Sequence, residues 1–418
     1  NWNQDPGASA NISLGPTDPT FRIGGSVGFR VADVVFGNAT LNMTRRTVTG
    51  VVDPDAATKR LSGELLGLNI SAATLFIGTG ASLDVVSTST TYGLVTLPPV
   101  NDPSAVGFRV ENGALDLAVF TASKESTDGT TYTGFTPAKK FTGFEGDLGA
   151  AQLQGVDAVK LIGTGLYLKL NRTSVTNGAV LNWTQTPLLS SNVALGPNDP
   201  TFQIGGTVAL SIADLVFGRA TVDVRRTQVS GVNYRTTTGS TELLQGELLG
   251  IAITNATLFI GTGASLNTTN GTLTLPEPTD TSAVGFSVTG GSLDLGVFTA
   301  RSRSTNGGTS YSTLLTPRKY TGLEGALGTA RLQGVDAFKL TGTSLYLKLN
   351  QTSVSGAAVL DWKQTAVTTN VLASAGVDLG PTDPTFQIGG SVGLSIADVV
   401  FGRATVSVSR SVLAGVDD

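Results

Sequence analysis

One twelve-residue stretch occurs three times in this chain with almost no change. Its copies are LGPTDPTFRIGG at 14–25, LGPNDPTFQIGG at 195–206 and LGPTDPTFQIGG at 379–390. The three tryptophans, Trp2, Trp183 and Trp362, lie at matching places, 181 and 179 residues apart. A fixed period of this kind indicates a repeat architecture. We therefore divide the chain into a first unit (1–181), a second unit (182–360) and the start of a third (361–418), and we expect the array to continue beyond both ends.

Blocks that recur unchanged alternate with segments that differ in length. TLFIGTGASL occurs at 74–83 and 257–266, and LYLKLN at 166–171 and 345–350. The segment that follows TLFIGTGASL is longer in the first unit than in the second. Insertions are tolerated in surface loops rather than in packed strands. The unchanged blocks are therefore predicted to form the core, and the Thr-, Ser- and Pro-rich segments to form loops.

The unchanged blocks have the period of β-strands. LDLAVF at 115–120 and LYLKLN at 166–171 alternate apolar and other residues, which places successive side chains on opposite faces. Gly, Asn or Asp interrupts the pattern every six to ten residues, and no long stretch has a period of 3.6. The sequence therefore predicts an all-β fold.

Each unit contains four weaker sub-repeats, and two architectures fit them. We predict tandem repeats of about 180 residues that form an elongated β-solenoid, with one coil per sub-repeat. The alternative is an antiparallel meander or sandwich repeats. VENGAL at 110–115 and VTGGSL at 288–293 suit either tight hairpins or kinks between solenoid faces, because Asn-Gly and Gly-Gly favour positive φ.

Composition excludes several classes of function. Charged residues make up 14% of the chain and the net charge is −4, which argues against nucleic acid as a partner. The chain has no Cys, so it forms no disulfides and has no thiolate metal sites. No apolar run is long enough for a membrane-spanning helix, so we predict no transmembrane segment.

Runs such as AVGFRVENGALDLAVF (105–120) and LQGVDAVKLIGTGLYLKLN (153–171) resemble the tandem β repeats of giant bacterial cell-surface and secreted proteins. The resemblance covers nearly the whole chain. It implies an extracellular or cell-surface location and a structural or adhesive role. Partners would be the chain itself, through further repeats or other copies in a filament, with surface glycans as possible ligands. The resemblance brings no catalytic residues.

The chain has no His and no Cys, which removes Ser-His-Asp triads, Cys-His dyads and His-ligated zinc. Carboxylates recur at matched repeat positions: Asp33, Asp214 and Asp398; Asp116 and Asp294; Asp157 and Asp336. An enzyme needs one assembled site, whereas here every unit keeps the same acids. We interpret them as turn and surface residues, and we predict no enzyme activity and no catalytic, cofactor-binding or metal-binding residue.

Calcium is the one ion that the sequence leaves open. Oxygen-rich loops suit calcium, and VVDPDAAT contains Asp53 and Asp55. The matching stretch in the second unit, GVNYRTTTG, has neither acid. Any calcium site there would belong to one unit, and we expect no cofactor otherwise and no transition metal.

Three further features recur with the repeat. In GPTDPTF, two prolines fix φ on both sides of an Asp, so we predict a rigid turn that acts as a hinge between units. The glycosylation sequons at Asn171 and Asn350 occupy the same repeat position. We also expect two phenylalanine trios to be equally buried: Phe21, Phe202 and Phe386; Phe36, Phe217 and Phe401.

Our main hypothesis is a structural repeat segment of an extracellular bacterial fibre, surface filament or adhesin stalk that assembles by head-to-tail β stacking. The alternative is a carbohydrate-binding or carbohydrate-cleaving β-solenoid. An acid cluster present in one unit only would favour the alternative.

Overall fold

Alternation of side chains along very long strands determines the fold of this chain. The computed structural model describes residues 18–99, 102, 104–156, 158–176, 178–235, 241–277, 279–280, 282–335, 337–355, 357–364 and 372–411. The strands are β1 (Phe21–Val31), β2 (Val35–Asp53), β3 (Ala56–Thr79), β4 (Ser82–Leu83), β5 (Val95–Thr96), β6 (Val106–Ser126), β7 (Thr133–Gln154), β8 (Val159–Thr173), β9 (Phe202–Ile212), β10 (Val216–Arg235), β11 (Thr241–Gly261), β12 (Ser265–Leu266), β13 (Leu273–Thr274), β14 (Gly285–Ser304), β15 (Ser312–Gln333), β16 (Phe338–Thr352), β17 (Phe386–Ile396) and β18 (Val400–Arg410). Two short 3₁₀ helices span Thr186–Ser191 and Leu372–Ala375. The all-β prediction is confirmed.

The long strands form one antiparallel sheet of fourteen strands. Their order is β1-β2-β3-β6-β7-β8-β9-β10-β11-β14-β15-β16-β17-β18, so each strand pairs with its neighbour in the chain. The short strands form two separate hairpins, β4–β5 and β12–β13. The solenoid prediction is not confirmed: the described residues form the antiparallel meander that was the alternative, as one continuous sheet.

The strands are longer than the sequence suggested because the expected turns are bulges within strands. VENGAL lies inside β6 and VTGGSL inside β14, with Asn112 at φ 54° and Gly290 at φ 64°. The pairing register of β3 with β6 shifts on both sides of the pair Ala73–Gly113, so β3 is irregular at the same place as β6. A bulge inserts one residue and reverses which face the following side chains occupy. We call the line of bulges that recurs in both units the crease.

One face of the sheet is covered by two kinds of connection. The straps are the described residues of 174–201 and 353–385, which follow β8 and β16. The flaps are the described residues of 80–105 and 262–284, which follow β3 and β11. Strap residues Trp183 and Leu195 are fully buried against side chains of β2, β3, β6 and β7. Flap residues Leu266 and Leu273 pack against Phe217 of β10 and the aromatic ring opposite it on β11. We call this side of the sheet the covered face.

The hinge prediction needs correction. The rigid turn exists, because the carboxylate of Asp199 accepts a hydrogen bond from the backbone N–H of Gly196 at 2.6 Å, and Asp383 does the same for Gly380 at 2.7 Å. Leu195, directly before this turn, is buried in the strap. The segment is thus fixed to the sheet rather than free to bend. Pro16 of the first copy lies outside the described residues.

The prediction of equal burial is wrong for both phenylalanine trios. Phe36 and Phe217 are 3% and 1% exposed, whereas Phe401 is 71% exposed. The first two lie on β2 and β10, which have a following strand at their side, and Phe401 lies on β18, the outermost strand described. Phe21 is 46% exposed on the other outer strand, while Phe202 and Phe386 are half-buried. Matching sequence positions are therefore buried only where the next strand is present.

Candidate functional site

The first set of recurring acids lies in the turns between β1 and β2, β9 and β10, and β17 and β18. Each acid is close to a basic side chain, and in two cases that side chain belongs to the last strand of the preceding unit. The ion pairs are Arg30–Asp33 (3.1 Å), Lys160–Asp214 (2.7 Å) and Lys339–Asp398 (2.7 Å). The hydrogen bond from Lys160 lowers the pKa of the Asp214 carboxyl. Asp214 and Asp398 therefore link neighbouring units at an exposed seam.

The second set of recurring acids belongs to a row of polar side chains that crosses the covered face. In the first unit, Asp116 of β6 lies beside Glu145 of β7, which lies beside Lys169 of β8. In the second unit the corresponding residues are Asp294, Glu324 and Lys348. Two neighbouring carboxylates and an ammonium group thus recur as a unit, which we call the polar row.

The polar row holds the strap. Glu145 receives Lys169 Nζ at 3.3 Å on one carboxylate oxygen and the backbone N–H of Ala194 at 2.6 Å on the other. Glu324 repeats this arrangement with Lys348 at 2.7 Å and the backbone N–H of Asp378 at 2.5 Å. Both oxygens of each central glutamate are engaged, so the arrangement serves to attach a strap to the sheet.

The two copies of the polar row differ at one end. Asn69 donates a hydrogen bond to Asp116 at 2.8 Å, but its counterpart opposite Asp294 is Ala252. Burial, and then the charge of Glu324, raise the pKa of the Asp294 carboxyl. The fold therefore disfavours the ionised form of the Asp294 carboxyl.

The possible calcium ligands Asp53 and Asp55 bind other groups. Asp53 is buried and receives Lys139 Nζ at 2.7 Å, so an ammonium group occupies the place that a cation would take. Asp55 accepts the backbone N–H of Ala179, in the strap, at 2.8 Å. Among the residues that the structure describes, no three potential metal-ligating side chains lie together. Asp157 and Asp336 are outside the described residues.

The asparagines of the two recurring sequons have a structural role that the sequence analysis missed. Asn171 is fully buried, and its side chain donates to the carbonyl of Leu181 at 2.9 Å and accepts the Nε1 proton of Trp183 at 3.1 Å. Asn350 makes the corresponding bonds to Leu360 and Trp362. The fixed spacing of twelve residues between Asn and Trp was the available signal. Neither amide is accessible to a glycan in the folded chain.

A second polar cluster lies where the first unit meets the second. The hydroxyl of Tyr167 on β8 donates to Asp223 on β10, which also accepts Gln203 Nε2 at 2.6 Å and Arg225 Nε at 2.7 Å. Burial, followed by the hydrogen bond to Asp223, raises the pKa of Tyr167 to about 12. Burial raises the pKa of Asp223, but the hydrogen bonds from Arg225, Tyr167 and Gln203 outweigh it and lower that pKa. The cluster is built from three strands of two units.

The opposite side of the sheet, which we call the open face, is apolar. One row of directly paired residues crosses it from β2 to β17: Leu41, Ile70, Leu115, Gly146, Leu168, Ile204, Val224, Ile251, Leu295, Leu323, Leu349 and Phe386. A groove of about 410 Å³ lies in this face near the crease. Ile70 and Ala73, on either side of the bulge residue Ala72, both line it. The bulge therefore keeps apolar side chains on one face along the whole strand.

Among the described residues, then, most of the recurring acids bind a basic side chain or a strap, and the surface feature that these contacts leave unexplained is the apolar open face. No helix in the described part of the chain has the length and apolarity needed to cross a membrane. No family model, curated protein or solved structure matches this chain.

Proposed function

We propose that this chain is a structural repeat segment of an extracellular bacterial fibre, surface filament or adhesin stalk, in which one β-sheet is extended unit by unit. The observation that supports this most directly is the junction between units. β8 pairs with β9 from Val159–Ile212 to Leu170–Phe202, and β16 pairs with β17 from Phe338–Ile396 to Leu349–Phe386. Both ladders have the same register and the same shift at the crease.

Side chains at the two junctions also repeat. Lys160 and Lys339 each reach the turn acid of the following unit at 2.7 Å. Gln203 Nε2 donates to the hydroxyl of Tyr167 at 3.5 Å, and Gln387 does so to Tyr346 at 3.3 Å. The same contacts therefore recur where one unit follows another along the chain, as in other linear repeat proteins, where each unit contacts only its neighbours.

The outer strands of the described sheet have the surface that such an addition would use. β1 and β18 correspond to β9 and β10, which take a strand on each side inside the sheet. An edge strand presents backbone N–H and C=O groups that can pair with another strand. A head-to-tail contact of this kind does not close on itself and builds a filament. Six long strands per unit give a rise of roughly 29 Å at the usual strand spacing.

The extracellular assignment depends on composition and resemblance. Because this chain of 418 residues has no Cys, an oxidising compartment cannot change it through thiol oxidation or disulfide formation. The repeats resemble those of bacterial surface proteins. A stalk has to extend over a distance and does not need a catalytic site. Both points fit a role in which identical units supply extension.

The proposal is tested by electron microscopy of the full chain over a range of concentrations. We expect filaments with an axial repeat of roughly 67 Å, because each copy of the chain adds fourteen strands. The variant Phe401→Lys/Ser407→Lys places two ammonium groups on the outer strand β18, on its covered side. Edge charges of one sign oppose strand pairing, so this variant should give short particles only. The control is Leu189→Lys, an exposed strap position away from both outer strands.

Two results would contradict the proposal. One is a wild-type chain that stays as discrete particles at every concentration. The other is a filament whose axial repeat does not correspond to fourteen strands, or one that the lysines on β18 leave intact.

A further inference from the structure

Most of the large apolar side chains that are exposed in this chain lie on the open face. Ile204 and Ile388, at the same repeat position on β9 and β17, are 44% and 46% exposed. Ile77 and Ile260, on the other side of the crease, are also exposed. Single exposed leucines and isoleucines are normal on a protein surface, whereas large contiguous apolar patches mark interaction sites. Among the described residues, the open face is therefore the strongest candidate for an interaction surface.

The two faces of the sheet differ because the strands have different residues on each side. On the covered side of the same strands, a Cβ on Gly143, Gly296 or Gly322 would lie within 2.6 Å of a strap tryptophan. Straps and flaps thus cover one side only. On the open face the described residues provide no corresponding cover, and the row continues from one unit to the next without interruption.

We propose that the open face packs against the open face of a second copy of this chain, as two sheets of a sandwich related by a two-fold axis. The inference does not depend on filament growth, because it uses a face of the sheet and not its outer strands. Sheets pack face to face about 10 Å apart through interdigitating apolar side chains. A two-fold contact is self-complementary, so the same row meets itself.

The area available is sufficient for such a contact. Fourteen strands span roughly 67 Å across the sheet, and a fifteen-residue strand such as β8 spans roughly 50 Å along it. A standard stable interface needs about 800 Å² from each partner. The face is several times larger than this requirement, so twisted sheets that touch over only part of it still bury enough surface.

The distribution of charge also fits a sheet partner. The row that crosses the middle of the open face contains only apolar residues and one glycine, and ion pairs lie beyond it near one end of the strands. These pairs are Arg45–Glu64 at 2.5 Å and, in the second unit, Arg226–Glu247 at 3.7 Å. An apolar centre with a polar rim is the usual anatomy of a protein interface. Stacking two such faces buries few charges.

The test is the mass of the full chain by sedimentation velocity and light scattering, at concentrations below those that give filaments. We expect a dimer. The variant Ile204→Glu/Ile388→Glu places four carboxylates in the dimer contact, which should weaken dimerisation at least about 100-fold. Both positions are exposed in the single chain, so the variant should fold, which far-ultraviolet circular dichroism would check. Leu189→Glu, with 58% exposure on the strap, is the matched control and should remain dimeric.

Three outcomes would overturn the proposal: a wild-type monomer at all concentrations, a dimer that survives both glutamates, or a monomer that floats with vesicles of phosphatidylcholine and phosphatidylglycerol (3:1). The last result would assign the open face to a lipid surface. The lysines on β18 keep the two proposals separate, because Phe401→Lys/Ser407→Lys should abolish filaments and leave the dimer unchanged.

Discussion

Trp183 Nε1 donates a hydrogen bond to Oδ1 of Asn171 at 3.1 Å, with both side chains fully buried, and Trp362 makes the same bond to Asn350 at 3.2 Å. The Asn belongs to the end of a sheet strand and the Trp to the strap that follows it. The pair therefore fixes the point at which the strap turns back over the sheet. The two tryptophans lie within the hydrophobic clusters that the straps form on the covered face.

Asn171→Ala should loosen the first strap. It leaves the indole N–H and the carbonyl of Leu181 without partners in a buried site, at a cost of about 3 kcal/mol. We expect faster amide hydrogen exchange in residues 178–201, with β14–β16 unchanged. Asn182→Ala is the control, because Asn182 bonds only within an exposed turn of the strap. Equal exchange in the two variants would show that the buried amide does not hold the strap.

Gly143→Ala should destabilise the chain because a Cβ there would lie 2.6 Å from Cε2 of Trp183. Overpacking of this kind costs about 1–3 kcal/mol. Gly322→Ala should act in the same way against Trp362. The control is Gly218→Ala, where the nearest atom is 3.8 Å away and the loss of a flexible glycine should be neutral or stabilising. Urea midpoints that fall equally in all three variants would contradict this packing.

A charge pair is reversed between the units. Lys59 pairs with Glu125 at 2.8 Å, and at the matching place Glu242 pairs with Arg303 at 2.7 Å. We expect Lys59→Glu to lower the urea midpoint, because it places a carboxylate near Glu125. Lys59→Glu/Glu125→Arg should recover most of the loss by copying the second unit. If the double variant is no better than the single one, the two pairs are not equivalent.

The sequence predicted strands and core blocks well, but not their connectivity. Asn112 and its partner in the repeat, Gly290, were recognised as residues suited to positive φ, and both have it. A left-handed residue serves a hairpin, a solenoid kink or a bulge equally well, so local conformation could not decide the topology. The bulge lies in the sheet because strands β3 and β7 pair along both sides of β6.

The candidate site was harder to predict, because its contacts join residues far apart in the chain. Trp183 marked the repeat, but its neighbours Val48 and Phe141 come from strands on different sides of the first flap. Asp116 was recognised as recurring, and its neighbour Glu145 was not, although both recur. Only the pairing of β6 with β7 brings the two carboxylates together.

The raised pKa of Asp294 gives a pH-dependent prediction for the second unit. Burial and the charge of Glu324 raise this pKa above its ordinary value of 3.8. Ionisation is therefore less favourable in the folded chain than in the unfolded chain. The free energy of unfolding therefore decreases as the pH rises from below 3.8 through the raised pKa, and it stays at the lower value at higher pH.

Asp294→Asn should remove this pH-dependent decrease in the free energy of unfolding. We expect a higher urea midpoint than wild type near pH 7, and a difference that disappears near pH 3, where the carboxyl is protonated in both states. Asp116→Asn is the matched control. Asp116 accepts a hydrogen bond from Asn69, where the second unit has Ala252, so its replacement should bring no gain. A gain at Asp294 that is equally large at pH 3, or an equal gain at Asp116, would show that ionisation of Asp294 is not the cause.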